Sequence, residues 1–465
     1  MKSPGNIITA EADQIIRKIM KKGRIPGACI VIVRPREAAV IKCFGCADLK
    51  KKIAVTPTTL FELASCSKGF TGLAALQLVE KKRIALADPV SKYFPGFYVK
   101  YNDEKYDLTI EQLLHHTSGI PWETLALIPV SDKQDALEKT VKKIIGVELT
   151  AAPGTHLDYS SLNYDIIGAV IEKVTGKTFE DYMQENIFRP LRLKSTFVGA
   201  GREHPSTAAG YKKGLFFPGR YQAPLFRGNN PAAYIISNGQ DIARWLKIQM
   251  GLAKTTMTGL IEKAQKPAGN PFASRWLKYS YAAGWIVQKE KGGEVFHTGS
   301  NPTFTSYIGF RPGEKIGAAV LANANSVYTL AIADYVISLL TGEKQRRIYM
   351  APFFPGKYLL PVSFCLGVSS LLLVNFLAAV VSRILAENRR CTPPTEEKAV
   401  LIFLATAIFL AALIGVSLYP GAVKKINWRT LITWSSQSFF TTLILFLLSL
   451  GLGYVLFLLV ILFPW

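Results

Sequence analysis

The decisive stretch of this chain is Phe61-Glu62-Leu63-Ala64-Ser65-Cys66-Ser67-Lys68, which opens a helical run that continues to about residue 80. A spacing of three residues at the start of a helix puts the side chains of Ser65 and Lys68 on one face, within reach of each other. A serine hydroxyl is a weak nucleophile until another group takes its proton. A lysine takes that proton only when desolvation or nearby positive charge keeps it neutral. Taken alone the pattern is weak, and an N-cap serine followed by a solvated lysine is the simpler interpretation.

Further motifs downstream change that interpretation. The block Leu114-His115-His116-Thr117-Ser118-Gly119-Ile120-Pro121 comes first, then Tyr159-Ser160-Ser161 within residues 153–168, and finally His297-Thr298-Gly299 at the end of a short strand-like run. Together with Ser65 and Lys68, they resemble in order and separation the landmarks S-x-x-K, Y-x-N and K/H-x-G of the penicillin-recognising superfamily, which contains the class C β-lactamases and D,D-peptidases. The resemblance covers nearly all of the chain before its hydrophobic C-terminal part.

This resemblance implies a serine hydrolase that works through an acyl-enzyme. Ser65 is the expected nucleophile, and Lys68 and Tyr159 are its expected proton-transfer partners. Backbone N–H groups of Ser65 and Ser300 are expected to hold the oxyanion. His297 stands where relatives have lysine or histidine, and we expect it to line the site, because nothing in the sequence orients it as a base. The alternative for Tyr159 is a core aromatic with its hydroxyl in water.

A closer resemblance is to the family of the colibactin-activating peptidase, whose members mature prodrugs in nonribosomal-peptide and polyketide pathways. It rests on residues 116–121 (HTSGIP), the run 159–168, Asn230-Pro231-Ala232-Ala233-Tyr234-Ile235 and Asn301-Pro302-x-Phe304. That family also has a serine peptidase domain followed by three membrane helices, which secreted β-lactamases lack. Ser161 replaces the asparagine of Y-x-N, as in that family. The resemblance therefore implies cleavage after an N-acyl-D-asparagine unit and puts β-lactam hydrolysis in doubt.

The same resemblance implies four contacts to the D-asparagine side chain: Glu62, Ser161, Asn229 and Asn301. Asn229 departs from the family, which has histidine there. A primary carboxamide offers two N–H donors and two acceptor lone pairs. We expect Glu62 to accept from its NH₂ group, Asn301 to donate to its carbonyl and Ser161 to do either. The alternatives are a helix-start charge for Glu62 and turn residues before proline for both asparagines.

The pattern of apolar residues predicts an α/β fold of the β-lactamase-like type. Residues 10–22 are typical of an amphipathic helix, and residues 163–175, 179–188 and 327–340 are further helices. The predicted strands are residues 27–33, 39–46, 281–288, 294–297, 303–310 and 316–321. Strands at both ends of the chain favour one antiparallel sheet flanked by helices, with the mostly helical middle as a second lobe and the binding cleft between the lobes.

The last hundred residues predict a membrane domain. Residues 359–382, 399–423 and 430–465 contain no Asp, Glu, Lys or Arg, and each exceeds the roughly 20 apolar residues that cross a bilayer. The domains expected are residues 1–345 for the serine peptidase, 346–357 for a linker and 358–465 for three helices at about 358–383, 399–420 and 436–463. An extracytoplasmic catalytic domain would place the loop 383–398 and the C-terminus in the cytoplasm. That loop has four basic residues and the next loop has three, which agrees weakly with the excess of basic residues expected on the cytoplasmic side.

Charge and composition narrow the partners and the location. The net charge is +22, and because the part from residue 358 has seven basic and three acidic residues, most of the excess lies before it. Attraction to anionic lipid explains this excess, and the absence of a compact basic motif argues against nucleic acid. We expect a multi-pass protein of the cytoplasmic membrane with an extracytoplasmic catalytic domain. The first residues have no apolar core of a signal peptide, so the export route stays open.

The remaining expectations concern cofactors, partners and alternative functions. Cys43-x-x-Cys46 lies in a strand-like run without a second pair or a nearby histidine, so buried thiols are favoured over zinc, and no metal or cofactor is expected. The expected partners are a peptide or lipopeptide prodrug and the lipid bilayer, and homodimer formation stays open. The alternatives are a β-lactamase, D,D-peptidase or esterase of the same fold, or a non-catalytic membrane protein that binds peptidoglycan or a peptide.

Overall fold

The computed structural model describes residues 8–199, 204–267, 279–288, 293–344 and 359–463. The expected linker at 346–357 lies outside the described residues. The chain divides into two compact units, the first formed by Met1–Lys212 with Pro218–Met350 and the second by Lys213–Phe217 with Ala351–Trp465.

The first unit contains ten helices and all fifteen strands of the described residues, and the second contains four helices. The helices are α1 (Ala10–Gly23), α2 (Lys68–Glu80), α3 (Ile110–Leu114), α4 (Ala136–Ile144), α5 (Ser161–Thr175), α6 (Phe179–Met183), α7 (Asn230–Ala233), α8 (Gly239–Gln249), α9 (Thr258–Ala264), α10 (Tyr328–Thr341), α11 (Leu359–Ala386), α12 (Glu396–Lys424), α13 (Trp428–Trp434) and α14 (Gln437–Leu462). The strands are β1 (Gly27–Val33), β2 (Val40–Asp48), β3 (Ile53–Ala54), β4 (Phe61–Glu62), β5 (Val99–Tyr101), β6 (Glu104–Tyr106), β7 (Phe197–Val198), β8 (Tyr211–Lys212), β9 (Gly219–Arg220), β10 (Ile235–Ser237), β11 (Tyr279–Tyr281), β12 (Ile286–Gln288), β13 (Val295–Ser300), β14 (Thr305–Arg311) and β15 (Ile316–Ala322).

The central sheet confirms the prediction that strands from both ends of the chain pair with each other. Its order is β11-β12-β13-β14-β15-β1-β2-β3, and its pairs are antiparallel. The register that joins the two ends sets Ile30 opposite Val320. Every residue of β1 is buried, as expected for a strand covered on both faces.

Alternate residues of β1 supply two separate cores, because successive side chains point to opposite faces of a strand. Ala28, Ile30 and Ile32 pack with the apolar faces of α1 and α10. Cys29 and Val31 belong to the larger core, which includes the buried residues of α2, α5 and α8. The fold is therefore the predicted β-lactamase-like arrangement, with helices on both faces of an antiparallel sheet.

One predicted strand is wrong. Residues 281–288 form two strands rather than one, because β11 and β12 are joined by a tight turn and pair Tyr281 with Ile286. Gly284 makes this turn with a φ of +87°, a conformation that other residues rarely adopt. The apolar run across the turn hid the break, since Ala282, Ala283 and Trp285 are buried like strand residues.

The second unit contains three helices long and apolar enough to cross a membrane: Leu359–Ala386, Glu396–Ala422 and Gln437–Leu462. α11 and α14 are joined by hydroxyl pairs at a spacing of seven residues on each helix. Ser363 bonds Thr442 at 2.6 Å and Ser370 bonds Ser449 at 2.7 Å. Small hydroxyl residues of this kind allow close approach and hydrogen bonding between helices in lipid.

Candidate active site

Ser65 lies in a 3₁₀ turn, Ala64–Ser67, that joins the short strand β4 to α2. β4 pairs with β10, and beyond it the N–H of Leu63 donates to the carbonyl of Ile235 at 2.8 Å. The turn begins at Ala64 with a φ of +48°, a conformation that costs a residue with a side chain about 1–2 kcal/mol. Strain of this kind is concentrated at functional sites, and here it lies directly before Ser65.

The strand β13 approaches this turn closely because it carries a glycine at the contact. A Cβ atom on Gly299 would lie 2.4 Å from the carbonyl oxygen of Leu63 and 2.3 Å from the hydroxyl of Ser306. Glycine therefore lets the backbone of the His-x-Gly motif lie against the serine turn. The next residue, Ser300, ends β13 beside the turn.

Lys68 is the first residue of α2 and is fully buried. Its Nζ donates to the hydroxyl oxygen of Ser65 at 3.2 Å, to that of Ser161 at 3.4 Å and to the carbonyl oxygen of Ala232 at 3.0 Å. Burial lowers the pKa of Lys68 to about 7, against an opposing effect of the Asp165 carboxylate. An amine with this pKa is partly neutral at physiological pH and can take the proton of Ser65.

Tyr159 lies just before α5 and completes the group of three. The residue is 37% exposed, and the Nζ of Lys68 lies 5.0 Å from the ring centroid. Burial of the hydroxyl raises the pKa of Tyr159, while hydrogen bonds with the side chains of Ser65 and Ser161 act in the opposite direction. Tyr159 is therefore a protonated phenol in this state, which suits it to pass a proton rather than to act as a phenolate base.

His116 supports Tyr159, a role that the sequence analysis missed. The two ring centroids are 4.4 Å apart. The Nδ1 atom of His116 accepts from the amide nitrogen of Asn163 at 2.8 Å and from the backbone N–H of Ser160 at 3.3 Å, and Ser118 donates to the other end of the Asn163 amide at 2.7 Å. Burial lowers the pKa of His116 well below its ordinary value, so the ring is neutral. The signal available in the sequence was the pair His116 and Ser118 inside the HTSG block.

His297 lies on β13 and is held from both ring nitrogens. Its Nδ1 donates to the carbonyl oxygen of Thr298 at 2.6 Å, and its Nε2 accepts from the hydroxyl of Tyr281 at 2.9 Å. Burial lowers the pKa of His297 to about 3. Both nitrogens are occupied, and the ring is neutral and buried, with its centroid 6.0 Å from that of Tyr159. The sequence does not single out Tyr281, because it lies in the apolar run 281–288, which predicts one strand.

Glu62 and Asn301 are joined directly, although 239 residues separate them in the chain. The amide nitrogen of Asn301 donates to the carboxylate of Glu62 at 2.7 Å and to the carbonyl oxygen of Ala233 at 3.0 Å. Within the described part of the chain, its Oδ1 atom has no hydrogen-bond partner. The expectation that Asn301 donates to a substrate carbonyl is therefore wrong, because both of its N–H bonds are used and only its oxygen is open. Burial raises the pKa of Glu62 to about 7.

The remaining expected contacts differ in how they face the site. Ser161 lies beside Lys68 at the first position of α5. The hydroxyl of Ser300 accepts from the amide of Asn325 at 3.1 Å. Asn229 is only 2% exposed, and in the amide orientation that satisfies its neighbours it donates to both oxygens of Asp165, at 2.9 and 3.2 Å. Its side chain is thus committed to a buried carboxylate rather than presented to a substrate.

Across the described ranges, no three His, Cys, Asp or Glu side chains form a group that could hold a metal ion. Cys43 of the C-x-x-C pattern faces Cys29 across β1 and β2, with their sulfur atoms 4.0 Å apart. The thiol of Cys66, next to Ser65, donates to the carbonyl oxygen of His297, and burial raises its pKa to about 12. That thiol is therefore inert in this state.

Comparisons with known proteins agree with this geometry. The family model described as Beta-lactamase matches residues 12–341. Protein flp of Staphylococcus aureus strain MW2 is 30% identical over 433 residues, which cover 91% of this chain and 85% of flp. The unguisins hydrolase ungD' of Aspergillus campestris is 28% identical over 345 residues, or 70% of this chain and 63% of that protein. The octameric penicillin-binding protein homologue from Pyrococcus abyssi is a solved structure with a TM-score of 0.61 and 26% identity, and the match covers 76% of this chain and 80% of that chain.

Proposed function

The chain belongs to the beta-lactamase family, a family of serine hydrolases, and from this premise we propose that it is a membrane-anchored serine peptidase. Its proposed reaction removes an N-acyl-D-asparagine-type unit from a peptide or lipopeptide prodrug. One observation carries the proposal: a fully buried lysine amine lies 3.2 Å from the hydroxyl of Ser65. That contact supports the reaction class. The substrate class comes from the resemblance to the prodrug-maturing peptidases, and the polar pair of Glu62 and Asn301 is compatible with it.

The proposed mechanism begins with Lys68 in its neutral form. Its Nζ takes the proton of Ser65 as the serine oxygen attacks the amide carbonyl of the substrate. Backbone N–H groups of Ser65 and Ser300 hold the oxyanion of the tetrahedral intermediate. The proton then passes from Lys68 through the Tyr159 hydroxyl to the leaving nitrogen as the C–N bond breaks, so that Lys68 is again neutral and Tyr159 is again a phenol. Water attacks the ester on Ser65, and the same two groups carry its proton to the serine oxygen as the ester bond breaks.

Selectivity for a side-chain carboxamide follows from which polar atoms are open. The substrate NH₂ group has two N–H donors, which match the Glu62 carboxylate and the unpartnered Oδ1 atom of Asn301. Ser161 accepts from Lys68 and also bonds the hydroxyl of Tyr159. We propose that its O–H turns from Tyr159 to the substrate carbonyl oxygen when the substrate binds. A site whose polar atoms are satisfied only by one group rejects substrates without that group by large factors, because those atoms would stay buried and unpaired.

Location in a membrane is part of the same proposal. Three helices are long and apolar enough to cross a bilayer, and we propose that they anchor an extracytoplasmic catalytic domain in the cytoplasmic membrane. This architecture fits a substrate with an acyl chain, which partitions into the same bilayer. The relative named unguisins hydrolase supports hydrolytic activity for this chain.

The test uses the full chain in detergent with an N-acyl-D-asparaginyl peptide, and mass spectrometry detects the released N-acyl-D-asparagine. We expect turnover by the wild type, none by Ser65→Ala, and at least tenfold less for the L-asparagine and D-aspartate analogues. Glu62→Gln should lose most of this selectivity, whereas Glu262→Gln, on an exposed position of α9, should keep it.

A second arm separates this function from its alternatives. Nitrocefin and a peptide that ends in D-Ala-D-Ala are offered to the same preparations. Ser65-dependent hydrolysis of either one, without turnover of the D-asparagine peptide, would replace the proposed substrate class. No covalent labelling of Ser65 by a fluorophosphonate would indicate a binding protein instead of an enzyme.

A further inference from the structure

A buried carboxylate that the proposed mechanism does not use lies behind the catalytic lysine. Asp165 is fully buried on α5. Its oxygens accept from the amide of Asn229 at 2.9 and 3.2 Å and from the backbone N–H of Ala232. Burial raises the pKa of Asp165 well above its ordinary value, while the charge of Lys68 and the N–H of Ala232 act in the opposite direction. The hydrogen-bond partners are all donors, and a protonated acid would need an acceptor for its own O–H, so we assign the ionised form to Asp165 from this hydrogen-bond geometry.

One residue, Ala232, connects this carboxylate to Lys68. The N–H of Ala232 donates to Asp165, and the carbonyl oxygen of Ala232 accepts from the Nζ of Lys68 at 3.0 Å. The two peptide groups that flank the Cα atom of Ala232 are therefore both oriented, and the second directs its carbonyl at the amine. The segment before Ala232 packs closely on α5, because a Cβ atom on Gly168 would lie only 2.1 Å from the ring of Pro231. The hydroxyl of Thr71 on α2 donates to the carbonyl of Pro231 at 2.6 Å.

We propose that Asp165, held by Asn229, is a positioning residue that fixes the location and the protonation state of the Lys68 amine. Asn229 then acts through Asp165 and not on the substrate. The inference rests on the role of Lys68 as the base of the proposed function, but not on the substrate class.

The charge of Asp165 is decisive because the other titratable side chains that face Lys68 are neutral near pH 7. Burial raises the pKa of the thiol and of both tyrosines among them, and lowers the pKa of both histidines. These residues are Cys66, His116, Tyr159, Tyr164 and His297. Asp165 supplies the negative charge that offsets part of the desolvation of Lys68, so that the amine can still carry a proton near neutral pH.

The test measures how fast a fluorophosphonate labels Ser65 between pH 4.5 and 9. Labelling needs the nucleophile and its base but no natural substrate, so its result does not depend on the proposed substrate class. With the carboxylate removed in Asp165→Asn, Lys68 loses a stabilising charge, and the pH at which labelling reaches half its maximum should fall by about 1 unit or more. A variant that had only lost structure would label more slowly at every pH without this shift.

Two further variants control the interpretation. The exchange variant Asp165→Asn with Asn229→Asp keeps one amide and one carboxylate in contact but moves the charge one side chain farther from Lys68, so its midpoint should fall between those of the wild type and Asp165→Asn. Asp241→Asn removes another buried carboxylate, which accepts from Thr196 at 2.8 Å away from the site, and should leave the midpoint unchanged. A midpoint that Asp165→Asn leaves unmoved or raises overturns the proposal. If that variant does not fold, an exchange variant with the wild-type midpoint overturns it.

Discussion

Replacing Lys68 with arginine separates the positive charge of the site from its ability to accept a proton. Burial lowers the pKa of Lys68 from 10.5 to about 7, whereas an arginine stays protonated at every physiological pH. At pH 7 about half of the Lys68 amines are neutral, compared with about one in three thousand for a lysine with the ordinary value. Burial thus increases the population of active base by about 10³, which corresponds to roughly 4 kcal/mol of activation free energy.

The expected effects follow from these populations. The rate of Ser65 labelling in the wild type should rise about tenfold per pH unit up to about pH 7 and then level off, because Lys68 must lose its proton before it can accept that of Ser65. Lys68→Arg should label about 10² to 10⁴ times more slowly, the usual contribution of a positioned general base, and should show no midpoint near pH 7. Lys92→Arg, at an exposed position, is the matched control and should follow the wild type.

The assay is time-resolved fluorophosphonate labelling read by in-gel fluorescence, with Ser65→Ala as the blank. Thermal unfolding of each variant shows whether the larger arginine has disturbed the fold. A wild-type rate that keeps rising to pH 10 would mean that the lysine has an ordinary pKa, and the proposed base would be refuted. A Lys68→Arg rate within threefold of the wild type would refute it as well.

Three other predictions test the surroundings of the site. Gly284→Ala should lower the free energy of unfolding by about 3 kcal/mol, because its Cβ would lie 2.2 Å from the carbonyl oxygen of Lys68 at a φ of +87°. Gly176→Ala has a φ of +70° and open space around it, so it should cost only about 1 kcal/mol in the same thermal unfolding assay. The pKa of Glu62 is raised to about 7, so the folded state binds the proton more tightly than the unfolded state does, and this stabilisation is lost as the pH rises through 7. Glu62→Gln should therefore stabilise the protein by up to about 3 kcal/mol above pH 8 and change little below pH 5; an equal effect at both pH values would contradict this. Cys391, exposed between α11 and α12, should resist a membrane-impermeant maleimide added to whole cells, while an Asp132→Cys reporter in the catalytic domain should react, and labelling of Cys391 would reverse the proposed topology.

The elements that the sequence predicts well are those that depend on neighbours along the chain. Residues 10–22 have the spacing of an amphipathic helix, and residues 27–33 are a continuous apolar run of strand length. The structure has α1 and β1 at nearly those bounds. The three long apolar helices follow from composition alone. The hairpin of β11 and β12 was missed because its turn uses a single glycine inside an apolar run, and nothing in that pattern distinguishes a turn that is buried from a strand.

The contacts of the candidate site also differ in whether the sequence predicts them: those between near neighbours in the chain are predictable, and those between distant segments are not. The contact of Lys68 with Ser65 joins residues three apart at the start of a helix, and the motif order made Tyr159 a candidate. The direction of the Asn301 amide was not predictable, because it depends on the carbonyl of Ala233 in another part of the chain. The same holds for Asn229, whose partner Asp165 carried no signal in the sequence.

The sequence by itself therefore determined which side chains are available for chemistry and that two of them lie one helical turn apart, because backbone periodicity is local. Only the tertiary structure decided that the Lys68 amine is buried away from water and that one carboxylate lies near it. It also decided which atom of the Asn301 amide lacks a hydrogen-bond partner. Desolvation and hydrogen-bond direction arise from segments that are far apart in the chain and meet only when the sheet closes, so no local pattern encodes them.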